Sequence, residues 1–266
     1  MMYKMFADES EWDIFQNVIQ FDEEVYSKSK AERELFKKIT KSNWIDNTGA
    51  RPDFLSDEIM IEMFEIDDIV TTKKGKNNPQ RKSDARALRE VQEWIANFSE
   101  GTFHENLMIT ARGDTRYNPE SDSFTPDNSV DHHNYQAYLN NFKRICQKHL
   151  NSVEAYRENY SDKKLGFLIV DESTFYVTEK QTQSKRILLR DAFWNYPIFD
   201  KNFMRLFIKS KVDFIIWAFN NKYFYTEQDP HGLSTPLPKV VILTKDNFYD
   251  KYSKYFEVEY MISLEE

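Results

Sequence analysis

The stretch Arg51-Pro52-Asp53-Phe54-Leu55, followed by Ile59-Met60-Ile61-Glu62-Met63-Phe64, decides the reading of this chain. The first segment ends a turn and starts a strand. The second is an apolar run interrupted by one carboxylate. A charged carboxylate in a buried strand is costly unless it is paired or binds a metal. Ser56-Asp57-Glu58 between them reads as a short turn. Asp53 and Glu62 therefore come from adjacent strands and can converge on one Mg2+. The plainer alternative is a salt-bridged pair of strand-end carboxylates, with Arg51 as the obvious partner.

Working outward, residues 10–26 read as a helix with Trp12, Phe15, Val18 and Ile19 along one side. A second helix is expected over Lys30–Lys41, with Leu35, Phe36 and Ile39 facing inward and Glu32 on the same face. Trp44-Ile45 reads as a short strand, and Asp46-Asn47-Thr48-Gly49 as a turn. Downstream of the Glu62 strand come a polar loop from Lys73 to Pro79, a helix opened by Ser83-Asp84 and a short strand at Leu107–Thr110. Residues 111–131, rich in Asp, Asn, Pro, Ser and Thr, read as a long loop. A long helix, about His132 to Asn159, carries an inner stripe of Tyr135, Tyr138, Leu139, Phe142, Ile145, Cys146, His149, Leu150 and Val153.

Three runs, Leu165–Val170, Phe214–Phe219 and Val240–Leu243, are apolar on both faces, as central strands covered by helices are. Helical spacing mixed with aromatics marks Arg190–Lys209. Asn247–Tyr255 reads as a helix and Phe256–Ile262 as a closing edge strand. The expectation is a single α/β domain over residues 1–266, with a mixed central sheet flanked by helices.

Composition narrows the function. The chain of 266 residues has only 6 glycines. It contains neither a G-x-x-x-x-G-K phosphate loop nor a G-x-G-x-x-G dinucleotide turn, and no G-x-S-x-G elbow. One cysteine, Cys146, excludes an internal disulfide and a cysteine-based zinc site. No apolar stretch approaches the roughly 18 residues that span a bilayer, so no membrane partner is expected. Met1 to Asp13 carries acids where a signal peptide would be basic and then apolar. A cytoplasmic location is the expectation. Richness in Lys, Asn, Ile, Tyr and Phe resembles that of proteins from AT-rich bacterial genomes.

Charge is uneven. Residues 1–70 hold 8 Lys/Arg against 17 Asp/Glu, a net of −9, while residues 71–92 hold 7 against 2, a net of +5. A basic stripe that includes Lys73, Lys74, Lys76 and Arg81 beside an acidic metal site can hold a phosphate backbone. Its plainer reading is a solvated loop and helix face.

The paired acids and their setting resemble the PD-(D/E)XK nuclease superfamily, whose core is a helix, an antiparallel strand set, a helix and a further strand. The resemblance covers about half the chain, roughly residues 28–172, and implies a restriction-endonuclease-like three-layer fold. It implies metal-dependent cleavage of a DNA phosphodiester, with Mg2+ or Mn2+ as cofactor and DNA as partner. Asp53 and Glu62 match the two motif acids, which would hold the metal, and Glu32 matches the helix acid that many members carry. The motif lysine is missing, since Phe64 stands two residues after Glu62. Lys143, Gln136 or Lys73 could supply the donor; otherwise the site is catalytically dead and the chain is a binding module that kept the fold. Strand alternation puts Glu62, Phe64 and Ile66 on one face and Met63, Glu65 and Asp67 on the other. With Glu65 as the motif acid, the lysine position would hold Asp67. Glu62 has the more apolar N-terminal flank and is preferred.

The remaining constellations are weaker. His132-His133 reads as a helix start, His104-Glu105 lacks the second histidine of H-E-x-x-H, and Asp171-Glu172-Ser173 ends an apolar strand as a possible cleft rim.

Overall fold

Burial on both faces of the strands organises the molecule, seen here in a computed structural model. The structure describes residues 10–20, 25–68, 90, 94, 97, 115–118, 123–126, 133–179, 192–219, 222 and 237–264. The chain divides into two compact units, one formed by Met1–Ser10 and Ile69–His132, the other by Glu11–Asp68 and His133–Glu266.

The larger unit holds a seven-stranded sheet. In chain order its strands are β1 (Val25–Ser27), β2 (Ile45–Asp46), β3 (Phe54–Leu55), β4 (Ile59–Ile66), β7 (Lys164–Asp171), β9 (Phe214–Phe219) and β10 (Val240–Thr244). Their spatial order is β1-β10-β9-β7-β4-β3-β2. Strands β2, β3 and β4 form an antiparallel set, β4, β7 and β9 run parallel, and β10 is antiparallel to β9. The sheet is thus mixed, and the three parallel strands occupy its middle, where a continuous apolar sequence belongs.

Helices cover both faces. On one lie α3 (Tyr135–Leu150) and α5 (Lys201–Ile208), whose Tyr138, Phe142, Phe203 and Phe207 join a core with Met60, Phe64, Phe167, Ile169 and Trp217. Phe142 stacks flat on Trp217, ring centroids 5.3 Å apart. On the other lie α1 (Glu11–Ile19) and α2 (Lys30–Lys41), where Phe15 stacks on Phe54 at 4.2 Å. Two further strands, β8 (Tyr176–Thr178) and β11 (Met261–Ser263), form a separate antiparallel pair.

Local chemistry sets the helix ends. Ser29 caps α2 in a capping box with Glu32, and Asn134 caps α3 by accepting from Ala137 N. The helix expected to run unbroken to Asn159 stops at Leu150. Asn151 and Ser152 turn the chain, and a shorter α4 (Val153–Asn159) follows. Pro197, which lacks an amide hydrogen, divides the aromatic stretch expected over Arg190–Lys209 into two 3-10 turns, and Asp200 then caps α5. The helix expected over Asn247–Tyr255 is replaced by turns. Asp250 Oδ1 accepts from Tyr252 N and Ser253 N, offering the backbone a partner that a helix would otherwise supply.

In the smaller unit the described strands are β5 (Thr115–Asn118) and β6 (Ser123–Pro126), an antiparallel pair inside the stretch expected to be a loop. The strand expected at Leu107–Thr110 and the segment Lys73–Pro79 lie outside the described residues, as do all the basic side chains of residues 71–92.

Gly166 shows how tightly the middle of the sheet is packed. A Cβ built there would come within 2.2 Å of the ring of Phe214, its parallel partner on β9. Gly166→Ala should therefore lower stability by about 1–3 kcal/mol, read from the urea midpoint. Phe214→Leu in the same background should recover part of the loss, and no recovery would show that the strain lies elsewhere.

Candidate active site

The pairing of β3 with β4 builds the site. Phe54 lies opposite Ile61 and Leu55 opposite Met60. The ladder ends at Phe54 and Ile61, and Asp53, just before β3, reaches across to β4 through its side chain. Glu62 leaves β4 towards α3, where it meets His149, while Phe54 faces α1. Asp53 is almost fully buried and Glu62 completely so. Asp53 Oδ2 accepts from the backbone of Met63 at 2.7 Å, which ties the turn to the strand.

Three side chains surround Glu62. Arg51 Nη1 donates to Oε1 in a very short ion pair. His149, in the last turn of α3, approaches the same oxygen through Nδ1 at 2.7 Å. A carboxylate only accepts, so Nδ1 is the protonated nitrogen. Arg51 Nη1, 3.5 Å from that nitrogen, is then a neighbour of it and not a bonding partner. The third is Tyr156 on α4, which lies within the electrostatic reach of Arg51 and Glu62. Neither Tyr156 Oη nor Glu62 Oε2 completes a hydrogen bond, although both are buried. Leaving a buried polar atom unsatisfied costs about 1–3 kcal/mol, so this corner of the core is incompletely neutralised.

Phe64, two residues after Glu62, performs a packing role. Its ring stacks on His149 at 4.7 Å and meets Phe167 edge-on at 5.5 Å. The aromatic thereby holds His149 against Glu62.

Electrostatics follow from this burial. Asp53 has its pKa pushed up to about 7, first by burial and then by the charge of Glu62, against the opposing hydrogen bond from Met63. Glu11, the first residue of α1, also has its carboxyl pushed up, by burial and then by Glu65 and Glu62. Glu11 is thus the helix acid within electrostatic reach of the pair.

Glu32 lies elsewhere. Its Oε2 accepts from the backbones of Lys28 and Ser29, and its Oε1 from Thr244 N, Thr244 Oγ1 and Asn247 Nδ2. It joins the start of α2 to the end of β10, which β9 and β7 separate from β4. At about 4.8 Å per strand that places it roughly 14 Å from the pair, and the fold does not bring it to Asp53 and Glu62. Among the described residues, neither candidate for a water-orienting donor bonds to the pair. Gln136 bonds Asn140 on the exposed side of α3, and Lys143 is placed beside Arg205 and Asp200. Lys73 lies outside the described residues. Glu65 sits on the opposite face from Glu62, as alternation requires.

Asp53 and Glu62 suit a hard divalent ion in part. The bare Glu62 Oε2 and the protonation-prone Asp53 are what such an ion would satisfy, and Mg2+ is content with one or two carboxylates plus water. Among the described residues, no group of three or more His, Cys, Asp or Glu side chains is arranged to hold a metal. Sequence reasoning had identified Arg51 as a partner; it missed Glu11, His149 and Tyr156. The signal for His149 was a lone imidazole in an otherwise apolar helix stripe.

A second polar cluster closes the carboxyl ends of the parallel strands. Asp171 accepts from Tyr138 Oη, from Trp217 Nε1 at 2.9 Å and from Ser173. Lys222 donates to Ser173 Oγ, Ser173 O and Thr174 O. With a lysine donating to it, the Ser173 hydroxyl is fixed and not activated, and the cluster serves to hold the β7 end. No described helix is long and apolar enough to cross a membrane.

No protein-family model, curated protein or solved structure matches this chain.

Two tests follow from this geometry. The folded-state pKa of Asp53, about 7, lies above the 3.8 of an unperturbed aspartate. Folded protein then keeps a proton that the unfolded chain releases, so this group's contribution to stability is full below about pH 4 and is lost as pH rises through 7. Asp53→Asn should abolish that decline in metal-free buffer, and identical pH profiles for the two proteins would contradict the assignment. Glu32→Ala, which strands three backbone donors, should cost about 3 kcal/mol or more while leaving any Mn2+-induced stabilisation intact.

Proposed function

We propose that the protein is a Mg2+-dependent nuclease of restriction-endonuclease-like fold, cleaving DNA phosphodiester bonds at the Asp53–Glu62 pair. One observation carries the reading: two buried carboxylates, beside each other at the β3–β4 pair, with one oxygen bare and one group pushed towards neutrality. Such an arrangement is costly on its own, and Asp53 and Glu62 would be relieved by a divalent cation held between them. The order of elements supports the same reading. An antiparallel set beside both acids is followed, after residues 69–132, by the helices α3 and α4 and then by β7, which is parallel to β4. That is the succession the PD-(D/E)XK resemblance implies.

In this reading Asp53 and Glu62 hold the ion. When bound, it would acidify a coordinated water and offset charge developing on the phosphate oxygens. His149 orients Glu62 by donating to Oε1, as outer groups do for metal-ligating carboxylates. Phe64 fixes the imidazole by stacking and takes no part in proton transfer. Glu11 adds negative potential at the helix start, which favours cation entry.

A second reading has its own support. Phe64 replaces the lysine, and Arg51 already neutralises Glu62. Together they fit a catalytically inactive module that retains the fold and binds protein or nucleic acid.

Plasmid, linear duplex and single-stranded DNA incubated with Mg2+ or Mn2+ distinguish the two. The nuclease reading expects metal-dependent cleavage that Asp53→Asn and Glu62→Gln each reduce by at least about 100-fold, the scale of losing one group that stabilises a transition state. Survival of all three substrates in Mn2+, with the wild type folded, would leave the binding module.

A further inference from the structure

The role of Arg51 goes beyond neutralising Glu62. Its side chain is half exposed while the carboxylate it meets is wholly buried. A guanidinium normally engages a carboxylate with two parallel N–H bonds. Here only Nη1 reaches Glu62, and only at Oε1, while Oε2 stays bare. The guanidinium also lies beside the hydroxyl of Tyr156, and it meets Glu62 through one N–H and not through a two-pronged pair. Arg51 also directly precedes Pro52-Asp53, so the same turn presents both the arginine and the first carboxylate. One positive charge faces two carboxyl groups.

We infer that Arg51 is a resident counter-cation, standing at Glu62 in place of a divalent ion and transferred to a phosphate of the substrate when that ion enters. The inference rests on the metal site read at Asp53 and Glu62. The physical sequence is short. A buried carboxylate requires a positive neighbour at all times. Asp53 and Glu62 would hold a divalent ion, whose charge would replace the one Arg51 supplies to Glu62 and would repel its guanidinium. The released fork, already at the rim and half in water, matches a phosphodiester in geometry and charge. Arg51 is on this account a positioning residue: it delays metal binding in the free protein and orients the phosphate in the loaded one.

The test is calorimetric titration of Mn2+ into metal-free full-length protein. Wild type, Arg51→Met, Arg51→Gln, Arg51→Lys and Asp53→Asn are compared, with near-UV circular dichroism to confirm folding. Removing the competing charge should tighten Mn2+ binding about tenfold in Arg51→Met and Arg51→Gln. Arg51→Lys, which keeps the charge, should stay near wild type, and Asp53→Asn should lose binding. Two neutral variants are used so that one failing to fold leaves the other to decide. Mn2+ binding that Asp53→Asn abolishes but neither neutral variant tightens would overturn the displacement and leave the metal site standing. No binding by wild type or by either neutral variant would overturn both.

The transfer to phosphate has its own measurement. Binding of a short DNA duplex is followed over a salt series, with and without Ca2+, which replaces Mn2+ to slow cleavage. With Ca2+, the salt slope of Arg51→Met should be shallower than wild type by about 0.9, one phosphate contact. Without it the slopes should coincide. Equal slopes in both conditions would contradict the transfer.

Discussion

Glu62 is the constraint around which the site is organised. Its carboxylate lies at the centre of a strand buried on both faces, where an unpaired charge is not tolerated. Everything nearby answers that demand. Arg51 and His149 share one oxygen, Phe64 braces the imidazole, and Asp53 is driven towards its neutral form. The answer is incomplete, because Glu62 Oε2 and Tyr156 Oη have no partners. A core built only for stability would place an apolar side chain at this point.

The two N-terminal helices illustrate how an acid acquires a role from position alone. Glu32 lies on the inward face of α2, and spacing identifies that much. Its five hydrogen bonds make it a structural tie between α2 and the end of β10. Glu11 is more exposed and unremarkable in the sequence, yet α1 sets it within reach of Glu62 and Glu65. The distinction depends on where each helix crosses the sheet, which is a tertiary property that no local pattern encodes.

Much of the fold was legible for physical reasons. Strands β7, β9 and β10 are apolar between their end residues, β4 is apolar but for Glu62 and Glu65, and α2 and α3 carry strong helical stripes, so burial announces them in the residues themselves. The nearness of Asp53 and Glu62 was legible because a short turn joins β3 to β4. What escaped were features decided by competition. Asn151 and Ser152 interrupt a stripe whose spacing continues across them. Asp250 captures backbone amides that periodicity assigned to a helix. The parallel neighbourhood of β4, β7 and β9, and the contact of His149 with Glu62 across 87 residues, arise from long-range packing.

The central claim is that Asp53 and Glu62 form a cation site in which Arg51 is the temporary occupant. Anomalous diffraction from crystals soaked in Mn2+ tests it most directly. The account predicts one anomalous peak bonded to oxygens of both Asp53 and Glu62, with the Arg51 guanidinium displaced towards solvent. A map with Arg51 still on Glu62 and no manganese between the two carboxylates would contradict it.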